Sequence, residues 1–281
     1  MVFFVLHRDT SIVKRSSVGA SCIVFIPEKA PEAKMAQLLV FGAQVLAVRG
    51  AYDDAYDLCE QVCEEKGWYN RNTGYNPFTR EGKKTCSFEV CEQLGWRVPD
   101  RIVVPVGDEN IISGIWKGLK DLYAVGLIDR LPKVDCAQAT GSSAITQAID
   151  LFRKKQGEPL SGGWRKIRIE PVQATTLADS ISVDIPRDGL AAMRAVIEAV
   201  SVSDEELLTT IPELAQRAGI FSEPSSAATY AALKKMVEEK KVDPEERIVC
   251  LITGNGLKDI ASARKAANQP IVIDPEPTAE Y

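Results

Sequence analysis

Short apolar runs alternate along the chain with segments whose apolar residues recur at helical spacing. Residues 22–26 form a β-branched run stopped by Pro27, which predicts a buried strand. Residues 31–39 carry Ala33, Ala36 and Gln37 near one face, with Val40 following and Gly42 as the stop, which predicts a helix. Residues 45–48 predict the next strand. Asp53 and Asp54 then open a helix in which Ala55, Leu58, Cys59 and Val62 fall at i, i+3, i+4 and i+7, and Gly67 closes it. Further on, residues 101–105 predict a strand that runs into the loop 106–110, with a helix over 111–125 ended by Gly126. Another strand is expected at 133–139, a helix at 225–240 with Leu233, Met236 and Val237 on one side, and an apolar strand at 247–252. Strand, loop, helix, strand is the order of an α/β fold, in which a parallel sheet is covered by helices. Ligands in such sheets sit beyond the carboxyl ends of the strands. The loops after 101–105 and 247–252 are therefore the first places to look for chemistry.

Composition narrows the class. Apolar residues make up 45% of the 281, enough for a proper core, and charged residues 26%. The net charge of −5 and the lack of any basic run longer than a pair argue against nucleic acid as a partner, because phosphate binding needs a clustered positive surface. Seven cysteines in a chain of this length do not resemble a disulfide framework, so a reducing, cytoplasmic setting is expected. Residues 1–6 are apolar but too short for a signal h-region and lack a positive start, and no apolar stretch reaches membrane-spanning length.

Several chemically suggestive residues read as ordinary packing. Cys59 and Cys63 lie four apart on a helix, but the one histidine, His7, is distant and no C-x-x-C pair exists, so no metal site is expected. Cys22, Cys136 and Cys250 fall inside strands, and Cys86 and Cys91 on a helix, all as core. Residues 157–163 form a Gly/Pro/Ser-rich loop, and the tail after 268 carries Pro270, Pro275 and Pro277 as an extended arm.

Three segments resemble the threonine synthase group of pyridoxal-phosphate enzymes. They are Asn76-Pro-Phe-Thr-Arg-Glu-Gly-Lys-Lys-Thr85 with the following helix to Trp96; Pro99 to Gly107 continuing through Ile115-Trp-Lys-Gly118; and Glu223-Pro-Ser-Ser-Ala-Ala228 paired with Thr253-Gly-Asn-Gly-Leu-Lys-Asp259. Thr176-Leu-Ala-Asp-Ser-Ile181 adds a fourth match, and all fall in family order over about residues 20 to 260. The resemblance implies a fold-type-II architecture with two parallel-sheet α/β domains, here a smaller one at 17–82 and a larger one at 83–267. Residues 1–16 form an unmatched leader and 268–281 the tail. It implies pyridoxal phosphate as cofactor, an amino-acid phosphate as substrate, and the conversion of O-phosphohomoserine to threonine and phosphate. Relatives are often dimers.

The same resemblance assigns residues. Thr253 would face the cofactor's pyridine nitrogen. The loop of Gly107, Asp108, Glu109 and Asn110 stands where relatives bind the cofactor phosphate on a strand end, a glycine turn and a helix start. Asp108 and Glu109 place two carboxylates there, against the expected dianion. Asn76 and Arg80 would bind substrate, although Arg80 and Asn72 are each displaced by one position from the family pattern. The family's Schiff-base lysine motif, Ser-Phe-Lys-Asp, and its Ser-Thr-Gly-Asn loop are not present, and the match begins near Ser17. Roughly the first hundred residues of a typical member are expected to be missing. No catalytic lysine is identifiable; Lys14, Lys34, Lys84, Lys117 and Lys258 are candidates by elimination only. Turnover is therefore expected to be impaired. A non-catalytic remnant or binding protein of the same fold stands as an alternative, and so does a cysteate-synthase-like replacement on phosphoserine.

Overall fold

A computed structural model describes residues 2–5, 21–156, 166–273 and 275. Its centre is a five-stranded, all-parallel sheet. Its strands are β1 (Val2–Val5), β4 (Arg101–Pro105), β5 (Lys133–Ala139), β6 (Val196–Val202) and β7 (Ile248–Ile252), in spatial order β1-β7-β4-β5-β6. The strands β2 (Ile23–Pro27) and β3 (Gln44–Val48) form a separate two-stranded parallel sheet, with Ile23 opposite Gln44 and Pro27 opposite Val48.

The period of two along a strand decides how the large sheet is covered. Ile102 and Val104 of β4, with Val249 and Leu251 of β7, point into one apolar layer; Val103 and Cys250 point into the other. The first layer is closed by α3 (Pro77–Gln93), α4 (Asn110–Ala124) and α5 (Ala144–Gln156), through Val90, Cys91, Ile112, Ile115, Leu119, Ile145 and Ile149. The second is closed by α7 (Asp204–Ala218) and α8 (Pro224–Glu238), through Leu207, Ala228, Ala232 and Met236. With helices on both faces, β4 is buried along its whole length, as parallel strands require.

Helix starts follow local chemistry. Asn76 caps α3, its Oδ1 accepting the Phe78 N–H at 3.0 Å, with Pro77 at the first helical position. Ser203 and Glu206 form a reciprocal capping box on α7, and Gly219 in the left-handed region ends it. Helices α3 and α4 lie unusually close. A Cβ on Gly118 would fall 2.1 Å from Ser87 Oγ and 2.9 Å from the Lys84 carbonyl; one on Gly114 would fall 2.8 Å from Lys83 Cβ. The sheet end opposite the candidate site is tied by charge. Arg101, buried at the start of β4, binds Asp135 at 2.6 Å and Glu246 at 2.8 Å. Burial pushes the Asp135 carboxyl up to about 6 even against the pull of Arg101.

The small sheet carries α1 (Glu32–Val40) and α2 (Tyr52–Lys66); among the described residues, Leu38 and Ala43 are the buried members of its apolar cluster. Among the described residues no helix is long and apolar enough to cross a membrane.

The strands and helices expected from the sequence are present, with ends that move by one or two residues. Several elements were not anticipated, among them two longer helices and two strands of the large sheet. The helix α5 and the capped helix α7 carry ordinary helical patterns that went unread. The strand β6 follows directly on the short helix α6 (Gly189–Ala192), so its Val196-Ile-Glu-Ala-Val-Ser-Val202 blends into a helix-forming stretch; pairing with β5 settles it as a strand. The strand β1 comes from the leader and pairs in parallel with β7, Val2 opposite Val249 and Val5 opposite Ile252. Helix α3 runs without a break across the domain boundary expected at 82–83. Lys14, the loop expected at 157–163, and residues 274 and 276–281 of the expected tail lie outside the described residues.

Candidate active site

Strands β4 and β7 are hydrogen-bonded neighbours, so the loops that leave their carboxyl ends share one edge of the sheet. After β4 the chain passes Val106 and Gly107 and enters α4 at Asn110. Gly107 is required by close approach: a Cβ there would lie 2.8 Å from the backbone of Ile181, in the 3-10 turn Asp179–Ile181 that crosses the loop. The N-terminus of α4 thus faces a loop with the shape of an anion cradle.

Its side chains have the opposite character. Asp108 is buried and accepts a hydrogen bond from the Tyr52 hydroxyl. Glu109 is 2% exposed, stands in the left-handed region at φ 60°, and makes no capping hydrogen bond. Both of its carboxylate oxygens are buried with no hydrogen-bond partner. Burial, then the nearby Asp108 and Asp188, push its carboxyl well above the usual range. Asn110 donates from Nδ2 to Asp188 at 2.6 Å and accepts from Lys83 Nζ. Arg80 is paired with the same Asp188, while its Nε is buried without a partner. The space left between Thr73, Lys83 and the 107–111 loop has room for about one water molecule.

The loop after β7 is arranged differently. Ser226, in the first turn of α8, accepts the backbone N–H of Thr253 at 3.1 Å and of Gly254 at 2.7 Å. A hydroxyl with both lone pairs engaged must donate its own proton, and the Thr253 Oγ1 lies 3.1 Å away to accept it. The Thr253 proton is then free to be donated to a further acceptor. Gly254 is required because a Cβ would meet the Glu223 carboxylate at 2.1 Å. Glu223 in turn contacts Ser180 at 3.3 Å.

The structure thus joins Asn110 and Arg80 through Asp188, sets Gly107, Asp108 and Glu109 in the adjoining loop with Glu109 unbonded, and places Thr253 beyond the neighbouring strand. Asn76 is buried with its Nδ2 on the Asn70 carbonyl at 2.7 Å and its Oδ1 on the Phe78 N–H, so its amide is spent on the α3 cap. Of the lysines considered by elimination, Lys34 binds Asp179 at 2.6 Å, while Lys84 and Lys117 share Glu81 and Asp121 on the α3–α4 surface. Lys258 ends the turn Gly256–Lys258. The sequence reading missed Asp188, Tyr52, Lys83 and Ser226. Ser226 had a signal in the Glu-Pro-Ser-Ser segment, but Asp188 had none, since it joins Arg80 from 108 positions away.

The family described as pyridoxal-phosphate dependent enzymes matches residues 16–254. The chain belongs to this family. It is 42% identical to the threonine synthase of Methanocaldococcus jannaschii over 261 residues, 91% of this chain and 61% of that protein. It is 32% identical to the threonine synthase of Mycobacterium tuberculosis over 269 residues, 93% of this chain and 69% of that protein. The chain therefore spans about three-fifths of the Methanocaldococcus protein, and 62% of its Methanosarcina acetivorans counterpart. The processed threonine deaminase isoform 2 of Solanum lycopersicum shares the fold at TM-score 0.74 and 17% identity, covering 94% of this chain and 72% of that one. Maize serine racemase does so at 0.70 and 20%, covering 92% and 73%. The fold is that of the fold-type-II members of the family, whose cofactor is pyridoxal phosphate.

The two ends of the candidate site answer differently to that cofactor. The Thr253 hydroxyl, with its proton released by Ser226, fits a ring nitrogen that accepts a hydrogen bond. The 107–110 loop does not fit a phosphate dianion: it offers carboxyl groups and a water-sized space.

Proposed function

We propose that this chain carries part of a threonine-synthase-type site, whose reaction releases phosphate from O-phosphohomoserine and yields threonine. The observation that carries the reading is the Ser226–Thr253 pair, which leaves one neutral hydroxyl proton free at the end of β7. A neutral donor of this kind positions a basic ring nitrogen without protonating it. On the other side, Arg80 and Lys83 stand one helical turn apart on α3 and both reach the loop network. To hold a substrate phosphate or carboxylate, Arg80 would have to exchange Asp188 for it and Lys83 would have to exchange Asn110. Cofactor and substrate would lie along the edge between the two loops, in the place where parallel sheets receive ligands.

A binding role with little turnover is favoured by two observations. Lys34, Lys84 and Lys117 are committed to ion pairs, and Glu109 places a buried carboxyl in the phosphate loop. The reading is tested by supplying pyridoxal phosphate with either O-phosphohomoserine, or O-phosphoserine plus sulfite, and measuring free phosphate and amino-acid product. Slow phosphate release with threonine formation from O-phosphohomoserine is expected, at a rate well below that of the Methanocaldococcus enzyme. Faster release from O-phosphoserine would replace the substrate. No release from either would leave the non-catalytic alternative standing. A stoichiometric adduct on Lys34, Lys84 or Lys117 after borohydride reduction would contradict their structural role.

A further inference from the structure

The loop after β4 has the backbone of an anion site and the side chains of something else. Gly107 admits the Ile181 backbone, the chain turns at φ 60° through residue 109, and α4 begins with its dipole facing the turn. A left-handed residue at this place is most easily a glycine. Here it is a glutamate, almost wholly buried, with neither carboxylate oxygen hydrogen-bonded. Its neighbours cannot compensate it. Asp108 and Asp188 are acidic, and the cations within reach are already engaged, Arg80 with Asp188 and Lys83 with Asn110. Any anion entering the loop would meet three carboxyl groups, and it would have to displace a side chain from a space that takes about one water.

We infer that Glu109 closes this loop to the cofactor's phosphate, so that the chain holds the pyridoxal ring without drawing affinity from the phosphate group. The inference rests on the proposed function only in taking the family cofactor as the ligand. Its basis is the conflict between a cradle-shaped backbone and an orphan carboxyl inside it. A change at residue 109 should therefore act on phosphate alone. Glu109→Gly removes the carboxyl and suits the left-handed backbone, so it opens the cradle without strain. Glu109→Gln keeps the shape and removes only the charge.

The experiment compares the affinities of the 281-residue chain and both variants for pyridoxal phosphate and for pyridoxal, by equilibrium dialysis at pH 8. In the native chain the two ligands are expected to bind within about threefold of each other. Glu109→Gly should tighten pyridoxal phosphate by about tenfold or more and leave pyridoxal unchanged, the gain expected of newly made charge-assisted hydrogen bonds. Glu109→Gln should give part of that gain. A native chain that prefers pyridoxal phosphate by about a hundredfold would overturn the inference. So would the same ratio in all three proteins. If pyridoxal also fails to bind any of them, the ring-binding part of the proposed function falls together with this inference; a strong native preference for the phosphorylated ligand leaves that function intact and removes the inference alone.

Discussion

Glu109 combines three costs at one position: a left-handed backbone on a non-glycine residue, a buried carboxyl, and two acidic neighbours. The titratable groups that act on it are Asp108 on its own loop, Asp188 before α6 and the Cys136 thiol on β5; Lys83 on α3 lines the same space, and Tyr52 and Arg80 bind Asp108 and Asp188 in turn. Burial with those carboxylates raises its folded pKa above the unfolded one. Such a group favours the fold at low pH, and its contribution is lost as pH rises from the ordinary carboxylate range towards the folded pKa. The chain should therefore lose stability relative to Glu109→Gln as pH is raised from about 4.5 to 8. Urea unfolding of both proteins across that interval reads the difference directly. A gap that stays constant with pH would mean that Glu109 is not buried against its neighbours as described. Thr253 illustrates the opposite economy: a side chain of ordinary chemistry gains a definite donor direction because Ser226 has no lone pair left to receive its proton.

The contact between α3 and α4 is what sets the walls of the candidate site, because Arg80 and Lys83 reach the loop from one helix while the loop opens the other. That contact depends on Gly114 and Gly118. A methyl group at 118 would collide with Ser87 Oγ and with the backbone carbonyl of Lys84. Gly118→Ala should destabilise the protein by about 1–3 kcal/mol, the usual cost of overpacking a tight contact. Adding Ser87→Ala should recover only part of it, since the carbonyl of Lys84 cannot be removed. Thermal or denaturant unfolding of the single and double variants decides this; full recovery would place the clash on Ser87 alone. The spacing Gly-x-x-x-Gly was visible in the sequence, whereas the identity of the facing helix was not.

At the scale of the molecule the two sheets differ in how well they are supported. Strands β4, β5 and β7 have apolar layers on both faces, while β2 and β3 rest on a cluster in which, among the described residues, Leu38 and Ala43 alone are buried. Local opening should follow that difference. Hydrogen exchange is expected to be fastest through residues 22–66 and slowest in β4 and β7, measured by mass spectrometry of peptides. Equal protection in both sheets would show that the small one is held by contacts beyond those described here.

The sequence by itself determined the α/β class, the strands at 101–105, 133–139 and, to within a residue, 247–252, the loops that carry Asp108, Glu109 and Thr253, and the kinship that names their expected ligand. These are legible because apolar periodicity and glycine placement act over a few residues, and a strand end followed by a helix start is written contiguously. The tertiary structure alone decided that Val196–Val202 is a strand, that Asp188 gathers Arg80 and Asn110, that Asn76 spends its amide on a cap, and that Glu109 in the loop after β4 has no partner. Asp188 meets Arg80 from 108 positions away and Asn110 from 78, while the partners of Asn76 lie only six and two positions off and are chosen by how the chain turns there. Partnership over the longer separations, and burial, are properties of packing, which no local spacing encodes.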